Sequence, residues 1–478
     1  MPPREYPRFA NGDVLIVSPT GRQWKLNSWV LLNHSAVLAK TLNDMEPRHI
    51  TKSMAQEGKC IKWKLEMKPF RELNDARFRS FEAVPIKKKN QFQIPDNFNG
   101  TGDIDFETTY DNFFRMLYNL DPIITDDLHL SGKQYITDCI SVLQAADYLD
   151  SLPAVRAQVE KHLLRMMQTF WVHVAKNPEA WADIAVRLQS DVIFQEAMCH
   201  IIGAYELSQA VKKATLARMQ FGSIILELAE LKARELKDMK IMTERRLMQF
   251  FPQRLIRHET DSKIPGRADY SADIYLWQAL TMVRQFFGSC MLANRHHRAE
   301  DGGMEFYRMV ERGDYIDKKA MGDFHACFGM STKGRQCLLD AVETIKEDLR
   351  VVVGGLLREE LQLRTGDGRA RPRRYLTCMK IRRDELPWVR DPDLIAEMGR
   401  GWAGEIIGER EGEDVEVGAD VEGARNNEGE GNGNGNDDDG DPMVEDGEQE
   451  INSENDKEGD DEEQENGQDD DGDEELRD

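Results

Sequence analysis

The chain has 478 residues, 40% of them apolar, and a formal net charge of −24. Such a chain can bury one large core or two, and its charge is uneven: residues 409–478 hold 32 of the 87 acids but 4 of the 63 bases, leaving the remainder close to neutral. There is no charged-then-apolar leader, no run of 18 apolar residues and no clustered cysteine framework among the seven cysteines, which argues against a secreted, membrane-spanning or disulfide-stapled protein. The expectation is a soluble intracellular protein with reduced thiols, in the nucleus or cytoplasm.

Residues 13–17 are a β-branched run, Pro19-Thr20-Gly21 is turn chemistry, and residues 22–26 alternate polar and apolar, which predicts a hairpin. The period then becomes helical in Trp29, Val30 and Leu32 and again in Val37, Leu38 and Leu42, with Asn27 and Ser35 at N-cap positions. Residues 60–67 alternate as a third strand. Residues 68–105, with Phe70, Phe78, Phe81, the Lys87-Lys88-Lys89 triplet and Pro95, read as an insertion, part packed and part mobile. Residues 106–120 put Phe106, Tyr110, Phe113, Phe114, Leu117 and Tyr118 on one helical face and stop before Pro122, which cannot donate a backbone hydrogen bond. Residues 134–150 and 153–167 continue as helices.

These pieces resemble a BTB/POZ domain. Asp13-Val14 match its opening strand, Trp24 and Leu26 its aromatic and aliphatic places, and Val30-Leu31, then Ser35 with Leu38, its following helices. Leu117-Tyr118 match its aliphatic-Tyr helix end, and Val142-Leu143, Ala145-Ala146-Asp147 and Leu149 its Leu-Leu-x-x-Ala-Asp-x-Leu helix. The long insertion and Asn119-Leu120-Asp121-Pro122 are similar to BTB proteins common in filamentous fungi. The implied fold is an α+β head over 7–167, three short strands plus helices with the insertion at 68–105. Its core would hold Val14, Trp24, Leu26, Leu31, Leu38, Leu117, Tyr118, Ala146 and Leu149. The resemblance also implies an interaction module that self-associates, and in some members a substrate adaptor for a cullin-type ubiquitin ligase. Its partner or dimer surface would be Asp13, Asn27, Ser28, Trp29 and Val37. The family's His and basic residue are Asn27 and Ser28 here, so Asp13 lacks its cation and self-association is expected to be weak.

Residues 168–398 are expected to form an all-α domain carrying no recognised repeat. Helices are predicted over 178–188, 191–205, 207–219, 221–251, 271–294, 304–312 and 332–362. The apolar stripe of 221–251 is Leu228, Leu231, Leu236, Met239, Met242, Leu247 and Phe250, which drifts off a heptad and so predicts packing against a core and not a coiled coil. Residues 364–383 are basic (Arg369, Arg371, Arg373, Arg374, Arg382, Arg383) around a strand-like run, 375–381. Residues 409–478 are Gly, Asn, Asp and Glu with almost no aromatics, a composition that stays disordered because it cannot offset its ordering entropy.

No catalytic signature is present: no GxSxG, HExxH, GxxxxGK[ST], or GxGxxG after a strand. His296-His297 with Cys290 and Cys327 fits no zinc spacing, and on a helix adjacent histidines point to different sides. No catalytic residue, cofactor, metal or small-molecule substrate is therefore expected. The reading is a protein–protein interaction scaffold or adaptor with protein partners and no membrane. The alternative is a nuclear, chromatin-associated factor whose 364–383 arginines contact phosphate. Against nucleic acid as a partner stands the acidic tail, which competes for the same arginines.

Overall fold

The β-branched run becomes β1 (Val14–Val17), and after the Pro19–Gly21 turn β2 (Gln23–Leu26) returns antiparallel, pairing Val14 with Leu26 and Ile16 with Trp24. In this computed structural model the described residues are 7–56, 60–69, 79–83, 106–124, 132–207, 213–256, 267–364 and 374–399. They lie within one compact unit, 1–415. The 409–478 tail and Arg369, Arg371 and Arg373 fall outside the described residues.

After the hairpin come α1 (Ser28–His34), α2 (Ala36–Asn43) and α3 (Lys52–Gln56), which carry the chain across to β3 (Trp63–Pro69), parallel to β1. β4 (Arg79–Ala83) then pairs antiparallel with β3, giving the order β2-β1-β3-β4. The sheet thus has four strands and not three. The extra strand lies in the stretch read as an insertion, where Phe81 packs edge-on against Tyr110, 6.0 Å between ring centroids.

α4 (Phe106–Leu117) packs on the sheet through Phe114 against Trp24, and α5 (Lys133–Tyr148) and α6 (Leu152–Arg165) pack against α4. Trp24, Tyr110, Phe113 and Phe114 are fully buried between sheet and helices, each worth roughly 1.5–3 kcal/mol of burial. Ser35 caps α2, accepting from Leu38 N, and its hydroxyl donates to the Leu149 carbonyl at 2.7 Å, fixing α2 to the end of α5. A polar knot closes the other end. Arg22 lies 3.1 Å from both Glu107 and Asp111, and the Trp24 indole N–H donates to Asp111 at 2.6 Å.

The rest is helical: α7 (Gln168–Lys176), α8 (Pro178–Leu188), α9 (Asp191–Ala204), α10 (Lys213–Leu216), α11 (Gly222–Gln249) and α12 (Arg267–Leu292). There follow α13 (Met304–Arg312), α14 (Lys318–Cys327), α15 (Thr332–Leu357), α16 (Pro387–Arg390) and α17 (Pro392–Gly399). Pro178 opens α8 at a position where its missing N–H costs nothing. Ser190, Asp317 and Ser331 cap α9, α14 and α15 through their side chains.

Three expectations need correction. Helix α7 and helix α14 were not foreseen, and of 207–219 only Lys213–Leu216 is helical among the described residues. The α11 stripe is split: Leu228, Leu236 and Leu247 are buried, but Leu231, Met239 and Met242 face out, while Lys232, Lys240 and Glu244 face in. Tertiary partners explain two of those inward charges, since Lys232 sits 2.7 Å from Glu385 and Glu244 accepts from Tyr307. Finally, 375–381 is extended but forms no strand; side chains of α9 take the place of a neighbouring strand.

Candidate functional site

On the N-terminal part, Asp13 is half-buried and held locally. Its carboxylate accepts from Ser28 N at 2.6 Å and Ser28 Oγ at 2.8 Å and lies 3.5 Å from Lys62 Nζ. Lys62 thus stands as a cation beside Asp13, which corrects the expectation that Asp13 lacks one. Asn27, at the head of α1, accepts no capping hydrogen bond with its side chain; its backbone N–H donates to Tyr118 Oη at 2.6 Å, and Tyr118 is half-buried and stacked on Phe9. Trp29 is 70% exposed. Val37, expected on the same surface, is instead buried with Leu38 and Leu42, because α2 turns that face to the core. The remaining expected core residues Val14, Trp24, Leu26, Leu31, Leu38, Leu117, Ala146 and Leu149 are all buried.

The described part of the basic segment is strapped across α9. Gln195 Nε2 donates to the Met379 carbonyl at 3.1 Å, and its Oε1 accepts from Ile381 N at 2.6 Å. Cys199 Sγ also donates to Met379, and His200 Nδ1 meets Tyr375 Oη at 2.8 Å. Gly203 is required here, since a Cβ would overlap the Leu376 carbonyl. Upstream, buried Glu196 accepts from Gln362 N and Leu363 N at 2.6 and 3.1 Å. Arg382, Arg383 and Arg374 are exposed, and Arg382 is engaged by Glu385 at 2.7 Å. Cys199 and His200 are thus buried in α9, and Cys199 bonds backbone of the 375–381 run that alternates as a strand does.

A second polar cluster lies where α11 meets the turn between α12 and α13. α12 ends at Leu292, and Asn294 takes a left-handed φ of 52°. His296 and His297 are therefore in a turn and not on a helix, so the expectation that they diverge is corrected. Their Nδ1 atoms lie 2.9 Å apart. Glu244 Oε2 lies 2.6 Å from His297 Nδ1 and 3.6 Å from His296 Nδ1. The other oxygen, Oε1, accepts from Tyr307 Oη at 2.6 Å and from His297 N at 2.9 Å. Burial and the neighbouring carboxylate push the Tyr307 hydroxyl well up, so it stays a donor. Burial holds His296 below the usual imidazole range despite Glu244 beside it, keeping that ring neutral. Gly303, at φ 88°, lets the chain pass within contact of the His296 backbone and the Tyr307 ring.

Cys290 and Cys327 do not join this cluster. The carboxylate comes from 52 residues upstream, on a helix whose sequence gives it no distinguishing mark. Beside the cluster opens a cleft of about 510 Å3, walled by Gly203 and Glu206, by Lys237 and Lys240, and by His297 and Arg298. Lys237 is paired with Glu206 at 3.0 Å. Lys240 is 94% buried by its 6% exposure, and that burial lowers its ammonium below the usual lysine range.

None of the seven cysteines is paired. No helix among the described residues is long and apolar enough to cross a membrane.

Comparison with known families places one match on the chain: residues 252–355 match the family model for the FF domain, in its fungal form. FF domains are protein-interaction modules. No curated protein matches the chain. No solved structure matches it either. The matched stretch runs from the end of α11 through α12, α13 and α14 into α15, and so includes His296, His297 and Tyr307 but not Glu244. The BTB/POZ resemblance is overturned by this finding, since the matching family lies elsewhere on the chain and no BTB/POZ model matches. The residues that carried it, Trp24, Leu26, Leu31, Leu38, Leu117 and Tyr118, are core and packing positions that any small hairpin-and-helix head requires. Its more discriminating polar positions are Asn27 and Ser28, which depart from the family. The self-association and the cullin-type scaffold rest on that resemblance alone and are not carried further.

Proposed function

We propose that the chain is a protein–protein interaction scaffold whose binding face lies on the helical part around 252–355. The supporting observation is that the stretch resembling an interaction module keeps large apolar side chains in solvent. Ile274 and Trp277 on α12 are 40% and 47% exposed, and Phe328 after α14 is 60% exposed. Ile274 and Trp277 stand three residues apart, which makes them neighbours on one helix face. Exposed aromatic anchors of this kind carry a disproportionate share of interface energy. The test is affinity purification of the full chain beside Ile274→Glu/Trp277→Glu, with folding checked by circular dichroism. Loss of a defined set of partners in the folded variant is expected. An unchanged partner set would move the interface off this face.

A further inference from the structure

The geometry points to a divalent transition-metal site of the zinc class, formed by Glu244 Oε2, His296 Nδ1 and His297 Nδ1. This inference is independent of the interaction reading above.

Three atoms with lone pairs converge in a largely buried place. Their separations are 2.6, 2.9 and 3.6 Å, and a triangle with those sides has a circumradius of about 1.8 Å. Zinc bonds imidazole nitrogen and carboxylate oxygen at about 2.0–2.2 Å. An ion standing about 0.9 Å off the plane of the triangle is therefore about 2.0 Å from all three donors, with the side away from the triangle open to a further ligand. Two imidazoles and one carboxylate also suit the borderline character of zinc better than calcium or magnesium, which want all-oxygen shells.

The surroundings are built as metal sites are. Glu244 Oε1 is occupied by Tyr307 Oη and His297 N, which leaves Oε2 to face the two rings. The His296 ring turns its Nδ1 to His297 and Glu244. A ligating carboxylate held through its other oxygen by a hydroxyl is a usual part of the outer shell. Gly303 lets the chain return close against the His296 backbone and the Tyr307 ring. His297 borders the cleft, which gives an ion a way in. Without an ion, the same atoms make a Glu244–His297 hydrogen bond with His296 close behind it, and the experiment must separate the two.

The full chain, stripped with a chelator and dialysed, would be titrated with Zn2+ against a chromogenic chelator, and separately with Co2+ while visible spectra are recorded. One tightly held ion per chain is expected, with the intense visible bands of four-coordinate cobalt bound through nitrogen. Ions bound only by the many carboxylates of residues 409–478 give weak, six-coordinate oxygen spectra and are told apart in this way. His297→Ala, at the more exposed edge, and Glu244→Gln should each weaken binding at least tenfold with circular dichroism unchanged. Tyr307→Phe should weaken it about 10–100-fold while leaving all three ligands in place. If Glu244→Gln fails to fold, His297→Ala and Tyr307→Phe still decide. Absence of a one-to-one ion, or equal affinity in His297→Ala, overturns the site and leaves a hydrogen-bonded Glu–His pair.

Discussion

Asp111 is the residue at which burial and charge compete most directly. Burial pushes its carboxyl up to about 6, and the Trp24 hydrogen bond and the guanidinium groups of Arg22 and Arg115 offset this only in part. One arginine shared with Glu107 cannot fully neutralise two acids. The folded chain therefore keeps this proton over a range where the unfolded chain has lost it. The group's contribution to stability is fully present below about pH 4 and lost as pH rises through about 6. Thermal midpoints measured across that window should fall for the wild type and stay flatter for Asp111→Asn, whose amide still accepts from Trp24. The same fall in the variant would assign the slope to another group. Nearby, Leu117→Ala removes a side chain that is 7% exposed between α4 and its neighbours and should cost about 2–5 kcal/mol in chemical denaturation. An unchanged midpoint would mean that the face of α4 is not packed as described.

Among elements, α9 is the least ordinary, because its buried surface is polar where an extended segment needs partners. Gly203→Ala would press a methyl into the Leu376 carbonyl, and overpacking of that kind costs about 1–3 kcal/mol. The expected sign is faster hydrogen exchange at the Ile381 amide and faster proteolysis within 374–381, with α5 and α6 unaffected. Retained protection at Ile381 would show that the strap does not depend on that close approach. The same helix shows what a sequence can and cannot disclose. The hairpin, α1, α2, α4, α5, α8 and α13 were legible, because each repeats apolar residues at its own period and ends on a cap or a proline. The 375–381 run alternates as a strand does, yet Gln195, Cys199 and His200 complete its hydrogen bonds, and no local pattern announces a partner about 180 residues away. For the same reason nothing local marks Glu244 as a partner of His296 and His297, and the α11 methionines at helical spacing face outward although their period suits an inner face.

Across the whole molecule, the sheet-bearing part and the helical part are joined by charge as well as by packing. Arg187 on α8 reaches Asp147 on α5 at 2.7 Å and Asp183 at 3.3 Å, and its carbonyl accepts from Arg156 at 2.7 Å. Burial raises the Asp147 carboxyl above its ordinary range, and the Arg187 guanidinium opposes that rise. A fragment ending at residue 167 leaves Asp147 without it. Breaking a fully buried pair costs about 3–5 kcal/mol, and less is expected here because the Arg187 side chain is 22% exposed. Residues 7–167 should therefore unfold at lower urea than 7–204, and Asp147→Asn should narrow the gap. Equal midpoints for the two fragments would show that the first part completes its own core. The strap sets the order of events during synthesis. Glu196 is complete only once Leu363 has been made, and Gln195 only once Ile381 has. A nascent chain that has just released α9 from the ribosome carries these acid and amide groups without the backbone partners they meet in the finished fold, for the time taken to translate well over a hundred more residues. Closure over that separation is slow, and a helper that shields α9 in the interval would act on maturation and leave the finished fold unchanged.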